Sequence, residues 1–323
     1  MRRLLVACAL AATPLLLPLA CFDGDTDDTP DDVEPEPASP ATPVRRLTTD
    51  ELNRTLRDLF PLSVVPVIAI TEDRGKDFVQ ETVRQVVSDL YVEQLRAGIN
   101  VVTEAVVADR AGLLPREPAG VDDEEAVVDE LLQSLLVRAF RRPVAADERA
   151  RYVDFFVARR ADDDATFPSA LTLTLQAVLQ SPQFLYRLEL DDDATGAADA
   201  DGRVAVTSIE MATRLSYFLL GSMPDQALLQ AGIDGALSTT EGIAAQTRRL
   251  LAEPKSRDAI LSFHTQWLDF DRILSSNKDP QRFGGRYNEF VRQAMRREAD
   301  QFIDMLFDGT PTLTAMLTTR QTR

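Results

Sequence analysis

The sequence predicts an all-α protein, built of multi-helix bundle segments packed through antiparallel helices, with an N-terminal signal and tether that lack regular structure. Three observations carry this expectation. Pairs in the S/T-x-x-E relation precede apolar runs, apolar residues return every three or four positions within those runs, and prolines stand at their ends. No repeat of roughly 20 to 50 residues runs through the chain, so a regular solenoid is not expected.

Taken in order, residues 1–20, "MRRLLVACALAATPLLLPLA", place two arginines before an apolar run that Pro14 and Pro18 interrupt. That order reads as an export signal peptide rather than a membrane span. Cys21 follows "PLA" directly, in the position of a lipid-accepting cysteine, although Pro18 occupies a site where such motifs usually carry leucine. The expected localisation is the cell envelope, lipid-anchored through Cys21 on the periplasmic side or cell surface, or secreted if Cys21 is not lipidated. The only other cysteine, Cys8, lies inside the signal, so a mature chain has no intramolecular disulfide to form.

Residues 21–44 form an acidic, proline-rich linker, "CFDGDTDDTPDDVEPEPASPATPV", with no apolar periodicity. Burial of so little apolar surface does not offset the entropy of ordering, and like charges extend the chain. The aspartates lack the spaced ligands and closing glutamate of an EF-hand loop and are not read as a calcium site.

A first helical segment is expected over 45–110. Thr48 and Glu51 form a capping box, Leu52, Leu56, Leu59 and Phe60 share one face, and Pro61 stops the run. A second segment covers 122–190. It contains "EAVVDELLQSLLVRAFRRPV", "DERARYVDFFVARRA" and "FPSALTLTLQAVLQSPQFLYRLEL", the last read as helix in spite of the β-propensity of "TLTLQAVL". A third segment, 204–323, opens with the capping box of Thr207 and Glu210, with Met211, Leu215, Phe218 and Leu219 at the core offsets. Ser238 and Glu241 are expected to start another helix that ends at Pro254.

Chemistry is harder to find. The formal net charge of −17 disfavours nucleic acid, whose binding requires positive charge to release counterions. With no C-x-x-C-H motif, no cysteine cluster and no glycine-rich phosphate loop, no cofactor and no metal site are expected. His264, the single histidine, is a candidate general base, with Ser262, Asp269 and Asp271 near it in sequence, but Phe263, Gln266, Trp267 and Phe270 form an adjoining apolar stripe on the same helix, which favours a core-edge or surface position for it. Glu298 and Asp300 are candidate catalytic carboxylates, set against the ordinary reading of a solvated helix face paired with Arg296 and Arg297. Arg138, Arg141 and Arg142 offer a candidate anion or polysaccharide-carboxylate contact; charge at a helix C-terminus is the simpler account. Tyr186, Arg187, Tyr217 and Phe218 are expected to pack between helices.

The ordered motifs "RRLTTDELNRTLRDLF", "RAFRRP", "SPQFLYR", "RLSYFL" and "QWL" resemble the uncharacterised multi-domain exported surface proteins of planctomycetes and myxobacteria, over roughly residues 45–308. In that family consecutive domains of unknown function follow one another, and some relatives carry cytochrome c modules. The resemblance implies fold continuity and export. Two departures stand out. Ala145 replaces the usual Ser or Thr cap after "RRP", which weakens that helix start by about 1 kcal/mol. Relatives also continue into further domains beyond "FIDMLF", so the third segment is expected to be C-terminally truncated.

The function expected from these readings is a lipid-anchored exported helical scaffold or binding module. The alternative is a non-haem subunit of an extracytoplasmic redox or polysaccharide-degrading system. Expected partners are the membrane, through the lipid on Cys21, and an envelope redox protein or a polysaccharide.

Overall fold

The computed structural model describes residues 44–71, 78, 87–189, 204–309 and 312–320. The expected export signal, Cys21 and nearly all of the acidic linker lie outside the described residues. Fourteen α-helices, three short 3-10 turns and one two-stranded ladder make up the regular structure among those described.

The ladder is short but decides topology. Strand β1, Arg45–Arg46, pairs antiparallel with β2, Tyr186–Arg187, in the register Arg45 to Arg187 and Arg46 to Tyr186. It fastens the entry of the first segment to the exit of the second. Helix α1, Thr49–Leu59, follows at once. The Thr48 hydroxyl accepts from the Glu51 amide at 3.2 Å, and the Glu51 carboxylate accepts from the Thr48 amide at 2.9 Å, so both halves of the expected capping box form. Leu52, Leu56, Leu59 and Phe60 are all buried, as their spacing requires.

Helix α2, Asp89–Ala108, is capped by the Ser88 hydroxyl. Helices α3, Glu124–Phe140, and α4, Ala146–Arg160, then form an antiparallel pair. Ala145 caps α4 without a side-chain hydrogen bond. Glu148 in its first turn accepts a two-pronged contact from Arg142 at 2.7 and 2.9 Å instead. Helix α5, Phe167–Leu179, packs against both α2 and α4 and contains "TLTLQAVL". Its central threonine, Thr174, is fully buried because its hydroxyl donates back to the Ala170 carbonyl at 2.9 Å. One continuous core runs from Leu47 through these helices and α6, Pro182–Leu185, and takes in Tyr217 and Met223 from the third segment.

The third segment has its own smaller core of Ala212, Leu220, Leu228, Leu237 and Leu250. It is assembled from α7, Ser208–Leu219, α8, Gln226–Ile233, and α9, Thr240–Leu251. The capping box of Thr207 and Glu210 forms. Two local expectations are corrected. Ser238 closes a short 3-10 turn over Ala236–Ser238, so the cap of α9 is Thr239, one residue later, accepting from the Gly242 amide. Of the four α7 residues at the core offsets, Met211, Leu215 and Leu219 pack against this core beside the buried Ala212, Ser216 and Tyr217, whereas Phe218 is 80% exposed. The reason is close packing through small residues. A Cβ at Gly232 of α8 would lie 3.0 Å from the Ala212 methyl, so the helices approach where side chains are smallest.

Helices α10, Lys255–Trp267, α11, Arg272–Ser275, α12, Pro280–Phe283, α13, Glu289–Asp308, and α14, Leu313–Thr318, complete the chain. They bury far less: only Ser256, Ile303 and Leu306 are buried among their described residues. Among the described residues no helix is long and apolar enough to cross a membrane.

Candidate functional site

Helix α3 ends at an arginine where glycine is the usual choice. Arg141 adopts the left-handed conformation, φ 59°, which costs an L-residue roughly 1 kcal/mol or more. That conformation sends its side chain inward, where it is 3% exposed. One terminal nitrogen donates to the carbonyls of Gln183, Phe184 and Tyr186 at 2.9, 3.1 and 2.8 Å. The other donates to the Ala139 carbonyl at 3.1 Å and toward the Tyr217 hydroxyl at 3.4 Å. Tyr217 in turn shares a 2.9 Å hydrogen bond with the Thr55 hydroxyl of α1. Burial pushes the Tyr217 phenol pKa up, against the opposing pull of Arg141. The signatures "NRTLRDLF", "RAFRRP", "SPQFLYR" and "RLSYFL" therefore meet in one buried hydrogen-bonded junction.

A cleft of about 1570 Å³ opens above this junction, with Tyr217, Arg187, Thr48 and Glu51 among its lining residues. The Arg187 guanidinium lies 5.3 Å from the Tyr217 ring centre and 4.0 Å from the Glu51 carboxylate. Arg214 of α7 donates to both oxygens of Glu189 at 2.7 and 2.6 Å, in a planar fork that stays partly open to solvent. The hydrogen bonds from Arg214 hold the Glu189 carboxyl below the usual range. Arginines and carboxylates line the cleft in equal number, five of each among the described residues, so it carries no net charge within a strongly acidic chain.

The opposite wall is aromatic and comes from α10. Phe263 and Trp267, one turn apart, are each about half exposed, at 49% and 48%, with ring centres 5.9 Å apart and planes only 33° apart. Phe78 stacks on Phe263 at 5.5 Å. His264 packs edge-on behind this pair and against Phe307 of α13, at 5.2 Å from Phe263, 6.0 Å from Trp267 and 5.4 Å from Phe307. Its Nδ1 lies 2.8 Å from the Ile260 carbonyl. A carbonyl only accepts, so Nδ1 is the donor in this contact.

His264 is thus in the cleft, as are Ser262, Asp269 and Asp271, yet they do not form a Ser-His-Asp relay among the described residues. The Nδ1 position, where a relay needs its carboxylate, is occupied by the helix backbone. Glu298 is exposed on α13, and Asp300 is paired with Arg296 one turn away. Neither lines the cleft. Arg296 also reaches Asp271 at 3.1 Å and the Thr265 hydroxyl at 3.0 Å, which ties α13 to α10 and α11. Of the three arginines, Arg138 donates to the Asp58 carbonyl at 2.6 Å, Arg141 is enclosed, and Arg142 is engaged by Glu148 and Gln183. Among the described residues no group of three or more histidine, cysteine or acidic side chains could hold a metal ion.

Three protein-family profiles match the chain in succession. PSD3, a protein of unknown function (DUF1587), covers residues 45–108; PSD5, a protein of unknown function (DUF1595), covers 127–189; and PSD4, a protein of unknown function (DUF1592), covers 206–323. The chain carries three consecutive domains of unknown function. No curated protein and no solved structure matches it. In these terms the buried junction joins all three domains, with Thr55 from PSD3, Arg141 and the 183–186 carbonyls from PSD5, and Tyr217 from PSD4. A second link joins PSD3 to PSD4 directly: the Asp58 carboxylate accepts from Ser222 at 2.6 Å and from Lys255 at 2.5 Å. The cleft is lined by residues of all three domains, Arg187 and Glu189 coming from PSD5, and places where domains meet are favoured ligand sites.

Sequence reasoning treated Phe263 and Trp267 as an apolar stripe and did not single out Arg214 or Glu189. The gathering of two aromatics and the only histidine in "SFHTQW" was the signal available for the wall. Nothing local announces the Arg214 to Glu189 fork, because its partners are 25 residues apart.

Proposed function

We propose that this chain is a lipid-anchored, exported helical binding module whose ligand occupies the cleft between α1 and α10. The observation that carries the reading is the cleft itself. It is floored by a junction whose polar groups are satisfied and walled by aromatic rings left half exposed, a combination of pre-formed frame and uncovered apolar surface typical of ligand sites. The arrangement favours binding over turnover, since the His264 Nδ1 is engaged by backbone and the Glu298 and Asp300 carboxylates lie away from it. The lipid anchor rests on Cys21 and the signal that precedes it.

Trp267 is the only tryptophan, so intrinsic fluorescence of the full chain reports on the cleft without labelling. Titration with pools of glycans, peptides, phospholipids and small haem proteins is expected to give a saturable spectral shift with at least one class. Silence from all four, in protein shown to be helical by circular dichroism, refutes the binding module. Cys21→Ser is expected to release the protein from the detergent-soluble membrane fraction; unchanged partitioning refutes the anchor.

A further inference from the structure

We infer that the cleft binds a neutral glycan chain, an assignment of ligand class that rests on the binding-module reading. Four features of the site converge on it.

First, size. At about 1570 Å³ the cleft exceeds the roughly 300–1,000 Å³ of a site for one small molecule, and an oligomer of several rings fits it better than a monomer. Second, the aromatic wall is a platform rather than a cage. The planes of Phe263 and Trp267 are inclined by only 33°, and Phe78 stacks at 15° over one face of Phe263, so the three ring planes run nearly parallel while Phe263 and Trp267 each keep about half of their surface open. A site for a quaternary ammonium needs rings set around the cation at steep angles. A pyranose instead offers flat patches of C–H groups that lie against a ring face, while its hydroxyls project from the rim.

Third, hydroxyl recognition needs planar groups that donate and accept side by side. The Arg214 to Glu189 fork supplies them. Arginine has five N–H donors and an ionised carboxylate about four acceptor positions, so the two bonds between them leave both partners with capacity to spare. Its side chains are 43% and 31% exposed and line the cleft, so adjacent hydroxyls can reach them. Ser262, Thr213 and Gln266 add neutral polar groups to the same lining.

Fourth, charge selects against the ionic alternatives. The cleft's arginines and carboxylates balance, whereas the chain as a whole is at −17, so a polyanion meets no compensating positive field on approach. An uncharged, hydroxyl-rich polymer meets neither attraction nor repulsion and is retained by contact alone. Its binding is accordingly insensitive to salt.

The test uses the full chain and defined neutral oligosaccharides of four to six units, drawn from β-glucan, xylan and mannan series, read by Trp267 emission and by calorimetry. At least one series is expected to bind saturably, with affinity unchanged between low and high salt. Trp267→Ala is expected to weaken that binding about tenfold or more, the scale of losing one aromatic contact, and Trp267→Phe to retain most of it. Because the emission signal is lost in these variants, calorimetry carries the comparison. Arg214→Gln gives a second measurement from the other wall and is expected to weaken binding while leaving the helical spectrum intact. A peptide or acidic polymer that saturates the Trp267 signal while every neutral series fails overturns the glycan assignment and leaves the binding module standing. Silence from all probes overturns both. Neutral glycan binding that survives Trp267→Ala and Arg214→Gln undiminished overturns the placement in this cleft.

Discussion

The Tyr217 hydroxyl lies 2.9 Å from the Thr55 hydroxyl, 162 residues earlier in the chain. Through this contact α7 is fixed to α1, and through Arg141 the same hydroxyl is fixed to the end of α6 and to β2. The three side chains of the network, Thr55, Arg141 and Tyr217, are at or near complete burial, and a buried polar group left unmatched costs more than the bond it made was worth. The junction therefore acts as an all-or-none fastening among the three domains, and the shape of the cleft above it depends on its integrity.

Tyr217→Phe removes one oxygen and leaves Thr55 without its partner across the domain boundary. The expected loss is about 1–3 kcal/mol in urea unfolding. Combined with Thr55→Val the loss is expected to be smaller than the sum of the two single effects, because both report on one bond. Strict additivity would show that the hydroxyls do not interact.

Arg141→Gly sets two physical effects against each other. Glycine relieves a left-handed backbone by roughly 1 kcal/mol, but it strips the carbonyls of Gln183, Phe184 and Tyr186 of a shared donor. Each buried acceptor left unsatisfied costs about 1–3 kcal/mol, so the second effect wins and the variant is expected to be destabilised by several kcal/mol or to fail to accumulate. Arg141→Lys is expected to recover only part, since one ammonium replaces a fork spread over two nitrogens. A variant Arg141→Gly as stable as the parent would mean that the arginine's conformation, not its bonds, governs the site.

Local rules made much of the helical frame readable in advance. The capping boxes at Thr48 and Thr207 depend on residues three apart, and the apolar face of α1 depends on residues three and four apart. Failures began where a distant partner chose the outcome. Phe218 fits the apolar pattern of α7 but faces solvent because α8 offers Gly232 to Ala212 and thereby turns the helix. Ser238 has the sequence of a cap but is consumed by a 3-10 turn that buries Leu237. The arginines of "RAFRRP" read as surface charge at a helix end, and only the fold shows Arg141 turned inward by its left-handed backbone. The cleft was the least legible feature, since its two walls lie some 200 residues apart in the chain and no spacing rule links them.

Gly98 on α2 faces Ile68, whose buried side chain has nowhere to retreat. Asn53 holds the Ile68 backbone by two reciprocal bonds of 2.8 Å, and a Cβ at position 98 would stand 2.5 Å from the Ile68 Cγ2. Alanine gains about 1 kcal/mol in helix propensity, but overpacking a core costs roughly 1–3 kcal/mol. Gly98→Ala is expected to destabilise the protein by about 1 kcal/mol. In an Ile68→Ala background the clash disappears, and the same substitution is expected to become stabilising by a similar amount. Chemical denaturation of the four variants checks the reversal; an unchanged sign in both backgrounds would exclude the contact as the cause.

The Arg214 to Glu189 fork gives the cleft a pH dependence whose sign follows from the lowered carboxyl pKa. Hydrogen bonds from Arg214 act first, helped by the charges of Arg214, Arg187 and Arg45, and they outweigh the opposing effect of burial. A carboxyl held below its ordinary range in the folded state contributes stability that is fully present above that range, and the contribution is lost as pH falls through the lowered value. Arg214→Gln removes the donors, returns Glu189 toward the ordinary range and erases that contribution. The difference in melting temperature between parent and Arg214→Gln is therefore expected to be greatest near neutral pH and to shrink steadily in acid, where Glu189 is protonated in both. Because both side chains stay partly open to water, the effect is modest and falls as salt is added. A difference that is constant from neutral to acid would show that Arg214 acts through packing alone, and a difference that grows in acid would invert the assigned shift.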